Sequence, residues 1–432
     1  MAQFNKNTHQ YLDQAKTLFE VVMLADQYGN NIGPANPSGM AVDAFGRARV
    51  SQPVTLFDSF NRYQQNGGFA TSNTATANTQ YDANTSTVSM NLDTTSGAKV
   101  IHETKRVFAY QPGKSLQILN TFVMNPPKPG LRQRVGYFGA NNGIYLEQAN
   151  TTVSFVTRSQ TTGAVVDTPA NQADWNIDKL DGTGPSLMTL DLTKAQIFFT
   201  DIEWLGVGSV RCGFVIDGQL IHCHSFHHAN LIDGTYMTTA CLPVRYEIEN
   251  TIATANTSVL KRICTSVISE GGYELRGRPR SAGSASANAL YDLATSSIFY
   301  PVMSIRMKSS RQDAIVVPKN IHILGVGNNT RIHYKVVQDA EVSGGLWLSA
   351  GSDSAVEYNA NASTFTGGTT VTQGFLGITN QSSTSATLDE GTFKFQLERN
   401  SLTGNTSTFT IIAAGAANGD DVLSAIDWEE IT

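Results

Sequence analysis

The chain has 432 residues, of which only 15% are charged, and its formal net charge at pH 7 is −6. This length exceeds what one hydrophobic core usually supports and predicts two domains with a short additional element. The acidic balance argues against a nucleic-acid partner, which would require a basic surface to displace counterions from phosphates.

Composition also bears on the compartment and on cofactors. The four cysteines, Cys212, Cys223, Cys241 and Cys264, form no CxxC pair, which predicts reduced thiols. No stretch approaches the roughly 18 apolar residues of a membrane-spanning helix, and the first residues lack the pattern of a secretory signal. GxGxxG and P-loop motifs are absent from the sequence. We therefore expect cytoplasmic synthesis, no membrane insertion and no cofactor.

Residues 1–40 are predicted to form a separate N-terminal attachment element. A short helix capped by Thr8 would place four apolar side chains on one stripe: Leu12, Ala15, Phe19 and Val22. A strand over residues 19–24 and a turn-rich stretch follow. Periodicity does not identify the surface that the helix meets, so packing on the chain's own sheet is an alternative to docking on a partner.

Strands joined by tight turns dominate residues 41–275, which we interpret as a β-sandwich or jelly-roll core domain. Asp217-Gly218 separates two apolar-rich runs. This dipeptide is typical of a type I′ hairpin turn, because both of its residues adopt positive φ. Further hairpins are predicted around the turns at 111–114 and 139–143. Together these patterns predict an antiparallel meander.

A second β-sandwich domain is predicted over residues 290–432. Residues 276–289 are small and locally basic, which is typical of a linker. Apolar and polar residues alternate over 331–336, as expected for a strand with one buried and one solvated face. The polar stretch 359–387 is predicted to form exposed loops between short strands. No repeat of fixed period is evident, which disfavours a solenoid.

One pair of carboxylates suggests catalysis. Asp201 and Glu203 lie two residues apart on a predicted strand and would share a face. Glycoside hydrolysis uses two carboxyl groups, one as acid and the other as base or nucleophile. Any solvent-facing strand can carry such a pair by chance, and we favour that interpretation, so no catalytic residue is assigned. The tryptophans, Trp175, Trp204, Trp347 and Trp428, are interpreted mainly as core residues rather than as a sugar platform.

A histidine cluster provides candidate metal ligands. Half of the eight histidines lie within seven positions: His222, His224, His227 and His228. On a strand, His222 and His224 point away from Cys223, so a joint zinc site would need a bulge. Hydrogen-bonded or surface histidines are the alternative, and we predict no bound metal.

Several strings of the sequence resemble a family of structural proteins of tailed bacteriophages, especially phages of marine and cyanobacterial hosts. The longest covers 41–59 (AVDAFGRARVSQPVTLFDS), and the others cover 110–115, 175–179, 181–186, 203–208, 213–218, 242–248 and 269–272. Residues 20–26 are similar to N-terminal segments of other cyanophage structural proteins. That similarity implies that residues 1–40 dock onto other virion proteins.

The resemblance implies a non-enzymatic virion protein with no catalytic residues to assign. The leading hypothesis is a tail, baseplate or fibre-associated subunit that mediates assembly and presents loops for host recognition. Alternatives are a capsid decoration or head fibre, a polysaccharide-degrading tailspike, and a carbohydrate-binding module that contacts a host surface glycan through residues 359–387. By analogy with phage fibres and spikes we expect a homotrimer. Oligomerisation in general has a physical motive, because uncovered edge strands would otherwise pair without control.

Overall fold

The computed structural model describes residues 10–12, 18–20, 52–274, 276–326, 330–378, 381–387 and 396–431. Within these ranges the chain consists of antiparallel β-strands, connecting turns and loops, and two short 3₁₀ helices, Gln172–Asp174 and Ser309–Arg311. The prediction of a mainly β, antiparallel fold is confirmed. No helix in the described ranges has the length and apolar character needed to cross a bilayer.

The helix predicted within residues 1–40 is not supported. The described residues of this segment form two short antiparallel strands, β1 (Gln10–Leu12) and β2 (Leu18–Glu20). A stripe of four apolar residues does not distinguish a helix from two short strands, and an isolated helix of this length is marginal in water because its nucleation is costly. The rest of 1–40, including Thr8, lies outside the described residues.

The first sandwich contains two antiparallel sheets. Its strands are β3 (Val54–Ser59), β4 (Phe69–Asn73), β5 (Asn78–Asp82), β6 (Thr87–Leu92), β7 (Lys99–Thr104), β8 (Ser115–Val123), β9 (Leu131–Phe138), β10 (Gly143–Ala149), β11 (Thr152–Ser159), β12 (Val166–Asn171), β13 (Gln196–Ile202), β14 (Val210–Ile216), β15 (Gln219–Phe226), β16 (Val244–Asn250) and β17 (Ser258–Glu270). One sheet has the order β12-β11-β10-β9-β16-β7-β4. The other has the order β15-β14-β13-β8-β17-β6-β5, with β3 paired to β17.

Side chains from both sheets form one hydrophobic core. Along β8 burial alternates strictly, so that Ile118 and Phe122 face inward. Phe155 of β11 stacks on Trp175 at 4.2 Å between ring centroids, and on Phe198 of the opposite sheet at 5.6 Å. These aromatic contacts hold the two sheets face to face.

The predicted hairpins have different outcomes. Asp217 and Gly218 adopt φ values of 52° and 75°, and β14 pairs with β15 as expected. The hairpin across residues 139–142, between β9 and β10, is also confirmed. The hairpin predicted around 111–114 does not form. A turn is present there, but β8 pairs with β13 and β17, while Phe108 forms a bridge with Leu242. Long-range strand pairing outweighs the local turn preference in this segment.

The second sandwich also contains two antiparallel sheets. Its strands are β18 (Arg278–Gly283), β19 (Tyr291–Leu293), β20 (Tyr300–Met307), β21 (Ile315–Val326), β22 (Thr330–Gln338), β23 (Glu341–Ser343), β24 (Leu348–Ser349), β25 (Val356–Asn359), β26 (Thr364–Thr366), β27 (Thr369–Ile378), β28 (Gln381–Thr387), β29 (Arg399–Asn400), β30 (Asn405–Thr406), β31 (Thr408–Gly415) and β32 (Asp420–Ile431). One sheet has the order β18-β32-β21-β28, with β19 paired to β32, and the other has the order β24-β25-β20-β31-β22-β27. The pairs β23–β26 and β29–β30 form small separate sheets.

Part of the segment predicted as a linker, 276–289, belongs to this second sandwich. Strand β18 pairs with β32 in register from Arg278 opposite Glu430 to Gly283 opposite Ala425. Strands β19 to β22, β25, β27, β31 and β32 supply most of a separate core around Phe409, Ile426 and Trp428. A basic, glycine-containing stretch can therefore be an edge strand as well as a loop.

Residues 396–401 connect the two sandwiches along a boundary that we call the seam. The Arg399 N–H donates to the Lys105 carbonyl at 3.0 Å, and the Leu397 N–H donates to the Val316 carbonyl at 2.8 Å. Ion pairs add to these bonds, since Arg106 Nε lies 2.8 Å from Glu398 Oε1. The segment thus hydrogen-bonds to both sandwiches.

Candidate functional site

A cleft of about 560 Å³ lies in the second sandwich beside the seam. Its size falls within the usual range for small-molecule sites. Its polar and aromatic lining residues come from strand ends and loops and include Lys105, Arg306, Asp339, Glu341, Trp347, Glu357, Arg399, Asn400, Asn405 and Thr406. Three carboxylates, three cations, two amides and one indole therefore surround a single space.

Trp347 provides the aromatic wall of the cleft. The guanidinium carbon of Arg306 lies 4.0 Å from the centroid of the indole, which is a cation–π contact. Arg306 Nε donates to Glu357 Oε1 at 2.6 Å. Because β20 and β25 are neighbours and place Arg306 opposite Glu357, the sheet itself aligns this ion pair. The indole, the guanidinium and the carboxylate are thereby held in a defined arrangement.

The rest of the rim is polar and comes from turns. Asp339 adopts a φ of 63° between β22 and β23, and its N–H donates to the Thr408 carbonyl at 2.9 Å. Asn400 and Asn405 lie opposite each other in the β29–β30 pair. Carboxylates accept hydrogen bonds, cations donate them and amides do both. Such a rim suits a ligand with many hydroxyl groups and one apolar face that can pack on the indole.

The predicted carboxylate pair does not form this site. Strand β13 ends at Ile202, one residue before Glu203, and Asp201 is buried whereas Glu203 is exposed. Asp201 Oδ2 lies 2.5 Å from Arg211 Nη2 on the neighbouring strand. Burial raises the pKa of Asp201, while Arg211 acts in the opposite direction. Neither carboxylate lines the cleft.

The candidate metal ligands have separate partners. A bulge does occur in this hairpin, since the register shifts between Cys212 opposite His224 and Gly213 opposite His222. Each ring contacts a different group: His222 Nε2 the Ser225 hydroxyl (2.9 Å), His224 Nδ1 the Asn176 N–H (3.3 Å), His227 Nδ1 the Ser209 hydroxyl (3.0 Å) and His228 Nδ1 the Gly208 carbonyl (2.7 Å). Among the residues that the structure describes, no group of three His, Cys, Asp or Glu side chains could hold a metal ion.

A second cavity of about 290 Å³ lies at the seam, around Glu103, Arg245 and Arg399. Burial raises the pKa of Glu103, partly offset by the two guanidinium groups. For the neighbouring Glu247, burial acts to raise the pKa, but Arg245, Lys99 and Arg134 together lower it. These buried charges are paired across strands β7, β9 and β16. They form a connected ionic network within the sheet, which the sequence analysis missed although charged residues alternate along these strands.

A buried histidine in the first sandwich is expected to make the folded state less stable at acidic pH. His102 is fully buried, and its pKa lies well below the ordinary value because burial disfavours the imidazolium, with Arg262 adding repulsion. The unfolded chain takes up this proton near pH 6.5 and the folded chain does not. Stability that is present above this pH is therefore lost as the pH falls, by up to about 1.4 kcal/mol per pH unit for one such group.

We expect urea denaturation to show a larger loss of stability between about pH 7 and about pH 5.5 for the wild type than for His102→Phe. The variant also loses the contact between His102 Nδ1 and the Thr71 hydroxyl (2.8 Å), which lowers stability at both pH values. Glu103 and Asp201, whose raised pKa values act in the opposite sense, are present in both proteins. Equal pH dependence of the two proteins would contradict the prediction.

Comparison with known proteins identifies no family for this chain. No family model matches it, and no curated protein matches it. Among solved structures, a protein of unknown function from Shewanella oneidensis MR-1 is similar at 12% identity with a TM-score of 0.35, over 56% of this chain and 97% of that chain. The carbohydrate recognition domain of Emp47p is similar at 10% identity with a TM-score of 0.33, over 51% and 95% of the two chains. The Bacillus licheniformis β-glucanase is similar at 10% identity with a TM-score of 0.32, over 51% and 98%. Similarity at this level carries no information on function.

Proposed function

We propose that the chain is a non-enzymatic structural subunit of a tailed-phage virion and that its cleft at Trp347 binds a host surface glycan. The observation that supports this function is the combination of an indole wall with a rim of carboxylates, amides and cations. A sugar ring presents C–H groups on one face and hydroxyls around its edge. The C–H face would pack on the indole, and the hydroxyls would bond to the rim.

The charges in the cleft suit hydrogen bonding to a sugar. Glu357 accepts a hydrogen bond from Arg306 at 2.6 Å, and the same guanidinium lies over the indole. The carboxylate oxygens of Glu357 can also accept hydrogen bonds from sugar hydroxyls. Since Arg306 covers one face of the indole, the sugar would meet the opposite face or the ring edge.

The virion assignment rests on the resemblance of residues 41–59 and the other strings to phage structural proteins. Within this proposal, a tail, baseplate or fibre position has few copies per particle, whereas a capsid decoration has many. Quantitative mass spectrometry of purified particles therefore distinguishes the two. Assembly as a homotrimer and docking through residues 1–40 are further parts of the same proposal.

Replacing Trp347 with alanine is expected to weaken glycan binding about tenfold or more, because a lost stacking contact of about 1.5 kcal/mol corresponds to one order of magnitude in Kd. The ligand is first identified on a glycan array with the full chain, and Kd is then measured by calorimetry. Tyr63→Ala is the matched control, since this ring is 80% exposed and does not line the cleft. Unchanged affinity of the Trp347 variant, or no array binding by the wild type, would contradict the proposal.

A further inference from the structure

The outer face of the six-stranded sheet in the second sandwich carries a row of basic residues. Strand β22 alternates, with Ile332, Tyr334 and Val336 in the core. The alternate residues, Arg331, His333 and Lys335, therefore lie on the outer face. Successive outward residues are about 7 Å apart along a strand, so the row is about 13 Å long. This row of basic residues contrasts with the net charge of −6 of the chain.

Aromatic rings flank this row on both sides. Phe375 of β27 is directly opposite His333, and the two rings stack with centroids 4.3 Å apart. On the other side, the Phe299 ring lies 5.0 Å from the His333 ring, and Lys335 Nζ lies 4.4 Å from the Phe299 centroid. We call these five residues (Phe299, Arg331, His333, Lys335 and Phe375) the basic-aromatic strip.

Arg331 and Phe375 of the strip are exposed, and Phe299, His333 and Lys335 are half-buried. Phe375 is 74% exposed although it is a large apolar side chain. Gly377 is opposite Arg331, and a Cβ added there would meet nothing within 4 Å. Among the residues that the structure describes, nothing therefore obstructs the surface beside Arg331, which leaves room for an extended chain.

We infer that the basic-aromatic strip binds an acidic polysaccharide that carries carboxylate groups. The cations would pair with the carboxylates, and the exposed Phe375 ring would pack on the C–H face of a sugar. Single-stranded nucleic acid also stacks on exposed rings. Its dense phosphates would meet only three basic positions on a chain that is acidic overall, so the polysaccharide fits better. This site is separate from the cleft and does not depend on the glycan proposed there.

The test measures binding of the full chain to alginate oligosaccharides, a polyuronate, and to neutral dextran. We expect binding to alginate alone, with weaker binding at high salt because the ions screen the charge pairs. The double variant Arg331→Gln/Lys335→Gln should weaken binding at least tenfold, and Phe375→Ala severalfold. Lys194→Gln/Arg276→Gln removes the same charge from other exposed positions and should have little effect, as should Trp347→Ala in the cleft.

Three results would overturn the inference. The first is alginate binding that the strip variants leave unchanged, and the second is equal binding of dextran. The third is tighter binding of a thymidine oligonucleotide than of alginate, which would assign the strip to nucleic acid. Circular dichroism of each variant establishes that it is folded. Loss of alginate binding in the strip variants alone, with array binding retained, separates this site from the cleft.

Discussion

Replacing Arg399 with alanine is expected to lower the free energy of unfolding by about 3–5 kcal/mol, the usual cost of breaking a buried ion pair. The Arg399 side chain is 4% exposed and its partner Glu103 is 2% exposed. Arg399 Nη1 lies 3.4 Å from Glu103 Oε1, and Nε lies 3.2 Å from Asp313 Oδ1. Without the guanidinium, a buried carboxylate at the seam loses part of its charge compensation.

Urea denaturation followed by circular dichroism measures this effect. Adding Glu103→Gln to the Arg399 variant should recover part of the loss, because the uncompensated charge is then removed. Arg276→Ala is the control. Its pair with Glu274 is solvent-exposed, with side chains 78% and 61% accessible, so its loss should stay within about 0.5 kcal/mol. A loss below about 1 kcal/mol for Arg399→Ala would show that the seam does not need this pair.

Truncation of Phe155 to alanine is expected to cost about 3–5 kcal/mol through lost burial and the cavity left behind. This ring is completely buried and lies between the two sheets of the first sandwich. It contacts Trp175 at 4.2 Å, Phe198 at 5.6 Å and Phe214 at 6.2 Å between centroids. We expect no single neighbour to fill the space, because Phe198 and Phe214 are fixed in the opposite sheet and Trp175 follows the 3₁₀ helix Gln172–Asp174.

The matched control for Phe155 is another phenylalanine. Phe375→Ala should change the free energy of unfolding by no more than about 0.5 kcal/mol, because this ring is largely exposed. The same measurement shows that the strip variant is folded. Similar losses for the two phenylalanine variants in urea denaturation would refute the assignment of Phe155 to the centre of the core.

Local patterns in the sequence predict the class of structure and some turns. Alternation along 331–336 indicated a half-buried strand, and Asp217-Gly218 indicated a hairpin, because both depend on residues that are neighbours in the chain. The same reasoning failed at 111–114, where the partner strands β13 and β17 are distant in sequence. It also placed Trp347 mainly with the core tryptophans, although this residue lines the cleft.

An antiparallel β-protein rich in turns can be predicted from the order of the amino acids, since side-chain alternation and positive-φ residues act over a few positions. Which strands become neighbours depends on the complete fold. That choice brought Arg306 opposite Glu357 beside Trp347, and Phe375 opposite His333. The physical reason is that strand order minimises the free energy of all sheets and cores together, a quantity that no short segment of the chain contains.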